Sequence, residues 1–542
     1  MFTLSETING IQFRDAVISA AENITAHRKD VDELNVFPVP DGDTGTNMAM
    51  TINNASRELS MSTETELSSV AKKTSMALLR GARGNSGVIL SLLFRGIAKG
   101  FKGLETADGA QLAAALKSGV DSAYKAVMKP TEGTVLTVAR VSAEKAAAFS
   151  AAEKDASKVL ECAYEAAKVA LANTPEQLPV LKKAGVVDAG GQGYVYILEG
   201  MLSVIRDGKM IKGENVETKK SEPDYLYTAE FVIARGKSEN DPIKLQAYLE
   251  TAGRPSVTVS SQSVLVKIET NDPGLVIQES IKYGVVKDVR LTYNGVQPAV
   301  PEAAPEASDG EKIQSVAPEK PFGFVAVAAG KGMSELFTDL GADTVVEGGQ
   351  TMNPSTDDIL KAIEKTPAET VFVFPNNKNI IMAAEQAIPL ASRRVCVLPT
   401  LSVPMGISAM IEFDEEASVE DNLITMGKAA ERTTTGSVTF AARDSDFDGK
   451  EIKKGEILAL KNGKISFVDD DLVHAVGKLT KTIVTKDTAS VTLFYGADVD
   501  EETLNLAVAA CEAKAGGVEV TVIDGGQPIY YFIIAADKQA KD

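Results

Sequence analysis

Residues 36–47 read Val-Phe-Pro-Val-Pro-Asp-Gly-Asp-Thr-Gly-Thr-Asn, and this stretch decides how the first third of the chain is interpreted. Its two prolines exclude a regular helix and keep the segment open as a loop. Gly42 permits a sharp backbone turn, so that the carboxylates of Asp41 and Asp43 can point toward one centre. Asn35 lies shortly before them and offers a further side-chain oxygen. The stretch therefore predicts a small cluster of hard oxygen donors.

A helix is predicted to begin directly after this loop. Thr44, Gly45, Thr46 and Asn47 would form its first turn, where free backbone N–H groups favour an anion such as phosphate. Carboxylate oxygens beside a phosphate-binding helix start are the elements of a site for Mg²⁺ and a nucleotide. The simpler alternative is an Asp-Gly turn followed by a capped helix, which is the commoner meaning of Asp-Gly on its own.

A second glycine-rich turn, Gly81-Ala82-Arg83-Gly84-Asn85-Ser86-Gly87, precedes an apolar helix. Its glycines allow the backbone to approach a phosphate, and the helix start supplies N–H donors. Arg80 and Arg83 flank the turn, and they either neutralise phosphate charge or lie at the surface. No Gly-x-x-x-x-Gly-Lys-Ser/Thr sequence occurs, so a P-loop does not provide the phosphate site.

Composition indicates a multidomain protein of the cytoplasm. A chain of 542 residues is too long for one hydrophobic core, so two to four domains are expected. The net charge of −19 argues against nucleic-acid binding. There is no apolar run long enough for membrane insertion and no secretion signal at the start. The 3 cysteines are scattered, which suits a reducing compartment.

Residues 1–210 are predicted to form an all-α domain of about eight helices. Apolar residues recur at three- and four-residue spacing throughout this part. The predicted helical segments are 8–27, 47–59, 65–80, 86–100, 109–128, 134–150, 155–173 and 191–206.

The rest of the chain is predicted to contain two α/β parts joined by a linker. Residues 225–295 show the order βαββαβ, which indicates a small α+β domain of the split-βαβ type. Residues 296–321 hold five prolines among Ala, Glu and Ser, the composition of an exposed linker. From residue 322 to 542 the pattern alternates strand and helix and then becomes rich in strands, which predicts a parallel α/β sheet with a second lobe.

The string from Leu34 to Met48, Leu-Asn-Val-Phe-Pro-Val-Pro-Asp-Gly-Asp-Thr-Gly-Thr-Asn-Met, resembles the bacterial fatty acid kinase catalytic subunit family. The loop that contains Asp41 and Asp43, called the aspartate loop below, is also similar to that of the dihydroxyacetone kinase L-subunit (DhaL) family. Three polar strings in the last part extend the resemblance over nearly the whole chain: Val346–Ser355, Pro375–Asn379 and Asp524–Pro528. The resemblance implies a DhaL-like helical kinase domain followed by a two-lobed DegV-like α/β domain.

The resemblance also implies site residues. Asp41 and Asp43 would be catalytic and bind Mg²⁺, with Arg83 at the phosphates and Asn35 as a third metal ligand. In the DhaL family an Asp lies five residues before the first loop aspartate, so the register of Asn35 differs. Nucleotide contacts are expected from the helix start after the loop, from the second turn and from two looser matches. These residues are Thr44, Gly45, Thr46, Asn47, Asn85, Ser86, Thr134, Asp188 and Gly190.

Two departures from the family pattern limit what can be carried over. Pro175 stands thirteen residues before Asp188, where the DhaL family has an arginine. In many fatty acid kinase subunits the middle domain carries a cysteine and a His-x-His pair, whereas here Thr228, Lys267 and Glu269 occupy those places. Threonine and lysine are poor zinc ligands, so no zinc is predicted in this domain.

The predicted chemistry is ATP-dependent phosphorylation of a fatty acid. Phosphoryl transfer needs charge neutralisation and alignment, and a fatty carboxylate is already ionised at neutral pH. It needs no general base, which fits a chain with only 2 histidines, His27 and His474. The resemblance implies a separate DegV-like fatty-acid-binding protein as partner, an acyl phosphate product for phospholipid synthesis, and a homodimer. A dihydroxyacetone kinase-type phosphotransferase and a non-catalytic nucleotide or lipid sensor are the alternatives.

Overall fold

Side-chain caps fix where the first long helices begin. Asn9 and Gln12 form a reciprocal capping box of 2.9 and 3.0 Å at the start of the first helix. Asp108 and Gln111 do the same, at 2.8 and 2.9 Å, for a helix further along.

The computed structural model describes residues 6–36, 42–127, 129–211, 227–234, 245–246, 248–249, 252–259, 263–270, 273–293, 315–349, 352–441, 445–447 and 450–539.

The described part of residues 6–211 is almost entirely helical. Eight helices of 15 to 18 residues coincide within a few residues with the predicted segments. These are α1 (Gly10–Ala26), α3 (Thr44–Ser60), α4 (Leu67–Gly81), α5 (Gly84–Gly100), α6 (Gly109–Ala126), α7 (Val135–Phe149), α8 (Ala156–Ala172) and α11 (Ala189–Ile205). This part also contains three short helices and a two-residue strand pair. The helices are α2 (Arg28–Glu33), α9 (Thr174–Gln177) and α10 (Pro179–Ala184), and the strands are β1 (Ile8–Asn9) and β2 (Thr106–Ala107).

Small residues let these helices approach closely. A Cβ built on Gly200 would lie 2.5 Å from the Cα of Ala20, and one on Gly100 would lie 2.6 Å from the Cα of Ala115. Helix α11 therefore packs backbone to backbone on α1, and α5 packs on α6. Phe13 and Phe101 fill the adjoining core with their rings edge to face, 5.6 Å apart.

The chain divides into two compact units, residues 214–312 and the remainder. Within the smaller unit, β3 (Tyr227–Ala234), β4 (Gly253–Val259), β5 (Ser263–Thr270) and β6 (Val285–Tyr293) form an antiparallel sheet in the order β4-β5-β3-β6. Helix α12 (Pro273–Ser280) and a 3₁₀ turn connect β5 to β6. This strand order is that of a split-βαβ arrangement. Thr228 pairs with Glu269 in the β3–β5 register.

The larger unit continues with a parallel sheet in the order β10-β9-β7-β8. Its strands are β7 (Lys320–Ala328), β8 (Thr344–Glu347), β9 (Ala368–Phe374) and β10 (Arg394–Val397). The intervening helices are α13 (Lys331–Asp339), α14 (Thr356–Lys365) and α15 (Lys378–Ala387) with a short 3₁₀ turn. The end of the predicted linker is attached here, because Val316 donates its N–H to the carbonyl of Glu364 at 3.0 Å. Strand β7 already begins at Lys320, inside the predicted linker.

A second sheet forms the other lobe. Its six strands follow the order β15-β14-β11-β18-β16-β17. They are β11 (Thr433–Phe440), β14 (Ile457–Lys461), β15 (Lys464–Asp469), β16 (Thr488–Tyr495), β17 (Val520–Asp524) and β18 (Phe532–Lys538), with a separate small pair β12 (Ser445–Phe447) and β13 (Lys450–Ile452). Two helices precede the strands of this sheet in the sequence, α16 (Val403–Ile411) and α17 (Val419–Arg432). Two more occur between its strands, α18 (Leu472–Ile483) after β15 and α19 (Glu501–Glu512) after β16.

Both faces of the parallel sheet are buried, as the alternation along β7 requires. Val325 and Val327 belong to the same buried cluster as the helical domain, whereas Phe324 and Ala326 face a separate cluster on the other side. On the first face, α14 packs against α4 and α15 packs against α5. The parallel sheet and the helical domain thus share a core, which places the ends of the sheet's strands beside the start of α5.

None of the helices in the described residues has both the length and the apolar character needed to cross a bilayer.

Candidate functional site

The aspartate loop opens directly into α3. Gly42 has φ +66°, the left-handed conformation predicted for the turn. Asp43 occupies the N-cap position of α3, but its side chain makes no capping hydrogen bond to that helix. Its Oδ2 instead accepts a 2.7 Å hydrogen bond from Nδ2 of Asn353, a residue of the α/β part. Asp41 lies outside the described residues.

Asp32, on α2, occupies the helix start that was expected to hold phosphate. Its carboxylate accepts the backbone N–H of Thr46 at 3.0 Å and the Thr46 hydroxyl at 2.8 Å, and it also bonds the N–H of Gly45. Burial raises the pKa of Asp32, and the nearby charge of Asp43 adds to that rise. In this structure an internal carboxylate already caps the Gly45 and Thr46 amides, and the contact of these residues with a nucleotide stays a prediction.

Sequence reasoning missed Asp32. It is one of several charged residues in the polar run Arg28–Glu33, and nothing in the spacing separates it from its neighbours. Close packing of α2 on α3 brings it to the loop, since a Cβ on Gly45 would lie 2.1 Å from the carbonyl oxygen of Arg28. Asn35 is buried at the end of α2, and its N–H bonds the Asp32 carbonyl at 3.2 Å. A role of Asn35 as metal ligand stays a prediction.

The helix starts that follow the two glycine-rich turns pack against each other. A Cβ on Gly84 would lie 2.6 Å from Nδ2 of Asn47, and one on Gly87 would lie 2.2 Å from the hydroxyl of Thr51. The same hydroxyl accepts the backbone N–H of Arg83 at 3.2 Å. The first turn of α5 is thereby fixed against the first two turns of α3. Asn85 and Ser86 lie half-buried in that first turn of α5.

The two arginines beside the second turn are directed elsewhere. Arg80 forms an ion pair with Glu58, with both contacts at 2.6 Å. Arg83 donates to the carbonyl of Asn353 at 2.7 Å and lies 3.4 Å from Asp358. In this structure both guanidinium groups are paired with other groups of the protein, and the alternative that they neutralise phosphate charge stays a prediction. A catalytic role of Arg83 is still an untested prediction.

Thr134, Asp188 and Gly190 form a second cluster, at the starts of α7 and α11. A Cβ on Gly190 would lie 3.2 Å from that of Val135, so the two turns pack together. Asp188 is buried, and its Oδ2 caps α11 by accepting the N–H of Gly191 at 2.7 Å. It also bonds the N–H of Val135 at the start of α7. This double capping gives Asp188 a structural role, and its nucleotide contact is a prediction that remains open.

Burial raises the pKa of Asp188 to about 6, against the lowering effect of those two N–H bonds. The folded state therefore binds a proton more tightly than the unfolded state, so this group's contribution to stability is lost as the pH rises toward and through 6. We expect Asp188→Asn, which keeps a capping oxygen without a charge, to gain stability relative to wild type by about 1 kcal/mol between pH 5.5 and 7.5. Denaturant unfolding of both proteins at the two pH values measures this. An equal difference at both values would contradict it.

The donors of the candidate site suit Mg²⁺. Carboxylate and amide oxygens are the ligands that this ion prefers, and it commonly uses only one or two carboxylates, with water and phosphate completing its shell. Among the described residues there is no group of three or more His, Cys, Asp or Glu that could hold a metal by itself. Asp43, with the carboxylate of Asp32 nearby, offers the one or two carboxylates that such a site requires.

The fold and this site define a class of proteins in which an all-α domain with an acidic loop shares a core with an α/β domain. The family model described as DAK2 domain matches residues 38–203, and the model for the C-terminal part of FakA-like fatty acid kinase matches residues 323–537. Protein YloV of Bacillus subtilis is 36% identical over 98% of this chain and 99% of its own length. The chain belongs to the FakA-like fatty acid kinase family, which includes YloV.

Further similarities cover either nearly the whole chain or one part of it. A protein of Staphylococcus epidermidis is 37% identical over 98% of this chain and 99% of its own length. Among solved structures, the dihydroxyacetone kinase of C. freundii in complex with AMP-PNP and Mg²⁺ is 19% identical, with a TM-score of 0.29 over 37% of this chain and 34% of that one. At that score the structural likeness carries no argument about this chain.

Proposed function

We propose that this chain is the ATP-dependent catalytic subunit of a fatty acid kinase, which phosphorylates the carboxyl group of a fatty acid. The main support for the proposal is one structural observation. Asp43 directly precedes the first turn of α3, and the first turn of α5 packs against that turn through the contact of Gly84 with Asn47. Membership of the FakA-like fatty acid kinase family supports the same function. The product would be an acyl phosphate.

In this proposal the chain's own residues bind and align the reactants. Asp43, with Asp41 and Asn35, would hold Mg²⁺, and bound Mg²⁺ would neutralise charge on the phosphates. Because Asp32 already caps α3, the start of α5 with Asn85 and Ser86 is the better candidate for direct phosphate contact. Thr134 and Gly190, in the second cluster at the starts of α7 and α11, are proposed to contact a part of the nucleotide that lies further from the reacting phosphate.

The histidines favour an acceptor that needs no proton removed. His27 stacks on Tyr196 with ring centroids 4.2 Å apart, and its Nδ1 bonds the carbonyl of Asn23. His474 pairs with Asp469 in the second lobe of the α/β part. Neither has a contact with the described residues of the aspartate loop, which exclude 37–41. A fatty carboxylate, unlike a sugar hydroxyl, is already ionised at neutral pH.

A fatty-acid-binding protein of the DegV type is the proposed partner, presenting the carboxylate to the kinase site. Purified protein with ATP and Mg²⁺ should form acyl phosphate, measured as hydroxamate, only when such a loaded protein is added. Turnover with dihydroxyacetone and none with the loaded partner would replace the proposal with a dihydroxyacetone kinase-type activity. Nucleotide binding without turnover on either acceptor would indicate a sensor.

A further inference from the structure

A short segment of the α/β part reaches into the candidate kinase site. We call residues Met352–Ser355 the strap. The strap follows β8 after Gly348 and Gly349, both in conformations that only glycine adopts readily, with φ of +146° and +104°. Because β8 is the edge strand of the parallel sheet and pairs with β7, the sheet fixes where the segment leading to the strap begins.

The strap is anchored at both ends within its own domain. At one end, the N–H of Gly349 bonds the carbonyl of Met352 at 2.9 Å, and the side chain of Asn377 donates to the carbonyl of Gly349. At the other end, Ser355 and Asp358 form a reciprocal capping box at the start of α14, with bonds of 2.8 and 3.1 Å. A segment with both ends fixed presents its middle residue, Asn353, in a defined place.

The strap is also joined to the turn before α5. Arg83 and Ser355 form an isolated antiparallel bridge, and the N–H of Thr356 bonds the carbonyl of Ala82 at 3.1 Å. The guanidinium of Arg83 holds the Asn353 carbonyl at 2.7 Å and faces Asp358 at 3.4 Å. Backbone and side-chain contacts therefore fix the strap on the kinase domain.

Asn353 is buried, with 5% of its surface exposed, as is Asn47, also at 5%. Its Nδ2 donates to Oδ2 of Asp43 at 2.7 Å and lies 3.4 Å from Oδ1 of Asn47. An amide nitrogen is no ligand for a hard cation, so Asn353 cannot bind the metal through this atom. A charge-assisted bond of this length instead fixes the orientation of the carboxylate.

We infer that Asn353 is a positioning residue for the metal site, supplied by the α/β domain to Asp43 of the kinase domain. This inference rests on the proposed function, because it requires Asp43 to bind the metal. The α/β domain would then complete the kinase site through the strap, in addition to any contact with a partner protein. Loss of an outer hydrogen-bond partner of a metal ligand typically lowers metal affinity or activity by about 10- to 100-fold.

The test compares Asn353→Ala and Asn353→Leu with Gln386→Ala in the full-length chain. Leucine has the branched shape of asparagine, with bulkier ends, but cannot donate a hydrogen bond. Gln386→Ala removes a contact between the same two domains, the 3.4 Å bond to Arg95, away from the aspartate loop. The readouts are the Kd for Mg²⁺ with AMP-PNP by calorimetry and the half-saturating Mg²⁺ concentration in the acyl phosphate assay.

We expect both Asn353 variants to raise the half-saturating Mg²⁺ concentration and the Kd by about tenfold or more, with Gln386→Ala unchanged. Wild-type values for Asn353→Leu would overturn the inference, because they would show that Asn353 only fills space. Equal losses in all three variants would also overturn it, since any weakened domain contact would then suffice. If Asn353→Leu does not fold, the comparison of Asn353→Ala with Gln386→Ala still tests the inference. Wild-type protein that binds no nucleotide would remove the proposed function itself.

Discussion

Asp43→Ala is expected to abolish acyl phosphate formation, lowering kcat by a factor on the order of 10³ or more, because metal-assisted charge stabilisation supplies several kcal/mol to such reactions. The carboxylate of Asp43 lies where the aspartate loop meets α3 and does not cap that helix. Its removal costs no helix cap but leaves the buried side-chain amide of Asn353 without its acceptor, so we expect a loss of stability of about 1 kcal/mol or more. Asp43→Asn should lose almost as much activity, because it keeps the shape and removes the charge.

Asp108→Ala is the matched control for this prediction. Asp108 also stands at the N-cap of a long helix, but it does cap that helix, accepting the N–H of Gln111 at 2.8 Å. Its loss should cost about 1 kcal/mol of stability without changing turnover. Thermal unfolding and the hydroxamate assay on both variants give the comparison. Retained turnover in Asp43→Ala, or a loss of turnover in Asp108→Ala equal to it, would contradict the assignment of Asp43.

The helices were predictable because their signals are local. The three- and four-residue spacing of apolar residues marks each long helix, and caps such as Asn9 with Gln12 are visible as sequence pairs. The alternation along β7 likewise follows from burial on both faces of a parallel sheet. Such patterns depend on neighbours within a few residues, so a single sequence contains them.

The site was only partly predictable, because its decisive contacts are long-range. The sharp turn at Gly42 followed from its motif, but Asp32 reaches Thr46 only through the packing of α2 on α3. The string around Asn353 was recognised as a polar loop, yet Asp43 lies 310 residues away in sequence. Nothing in either segment specifies the other; only the shared core of the two domains brings them together.

Gly84→Ala is expected to lower turnover by about 100-fold, the cost of a displacement of about 1 Å in a site that aligns reactants. Gly84 has φ +57°, and an added Cβ would lie 2.6 Å from Nδ2 of Asn47 and 3.3 Å from Nδ2 of Asn353. Asn47 is buried and cannot swing away without displacing Asn353, which holds Asp43. The methyl group should therefore act on the metal site and not only on folding.

Gly103→Ala separates that effect from backbone strain. Gly103 has φ +77°, so alanine meets a similar conformational penalty of about 1 kcal/mol, but no atom lies within 4 Å of an added Cβ. We expect both variants to lose stability through this strain, with the larger loss in Gly84→Ala because its methyl group also meets Asn47, and only Gly84→Ala to lose turnover and affinity for Mg²⁺ with AMP-PNP. Parallel losses of activity in the two variants would mean that strain alone disables the protein. Full activity in Gly84→Ala would mean that the reacting groups lie away from the junction of α3, α5 and the strap.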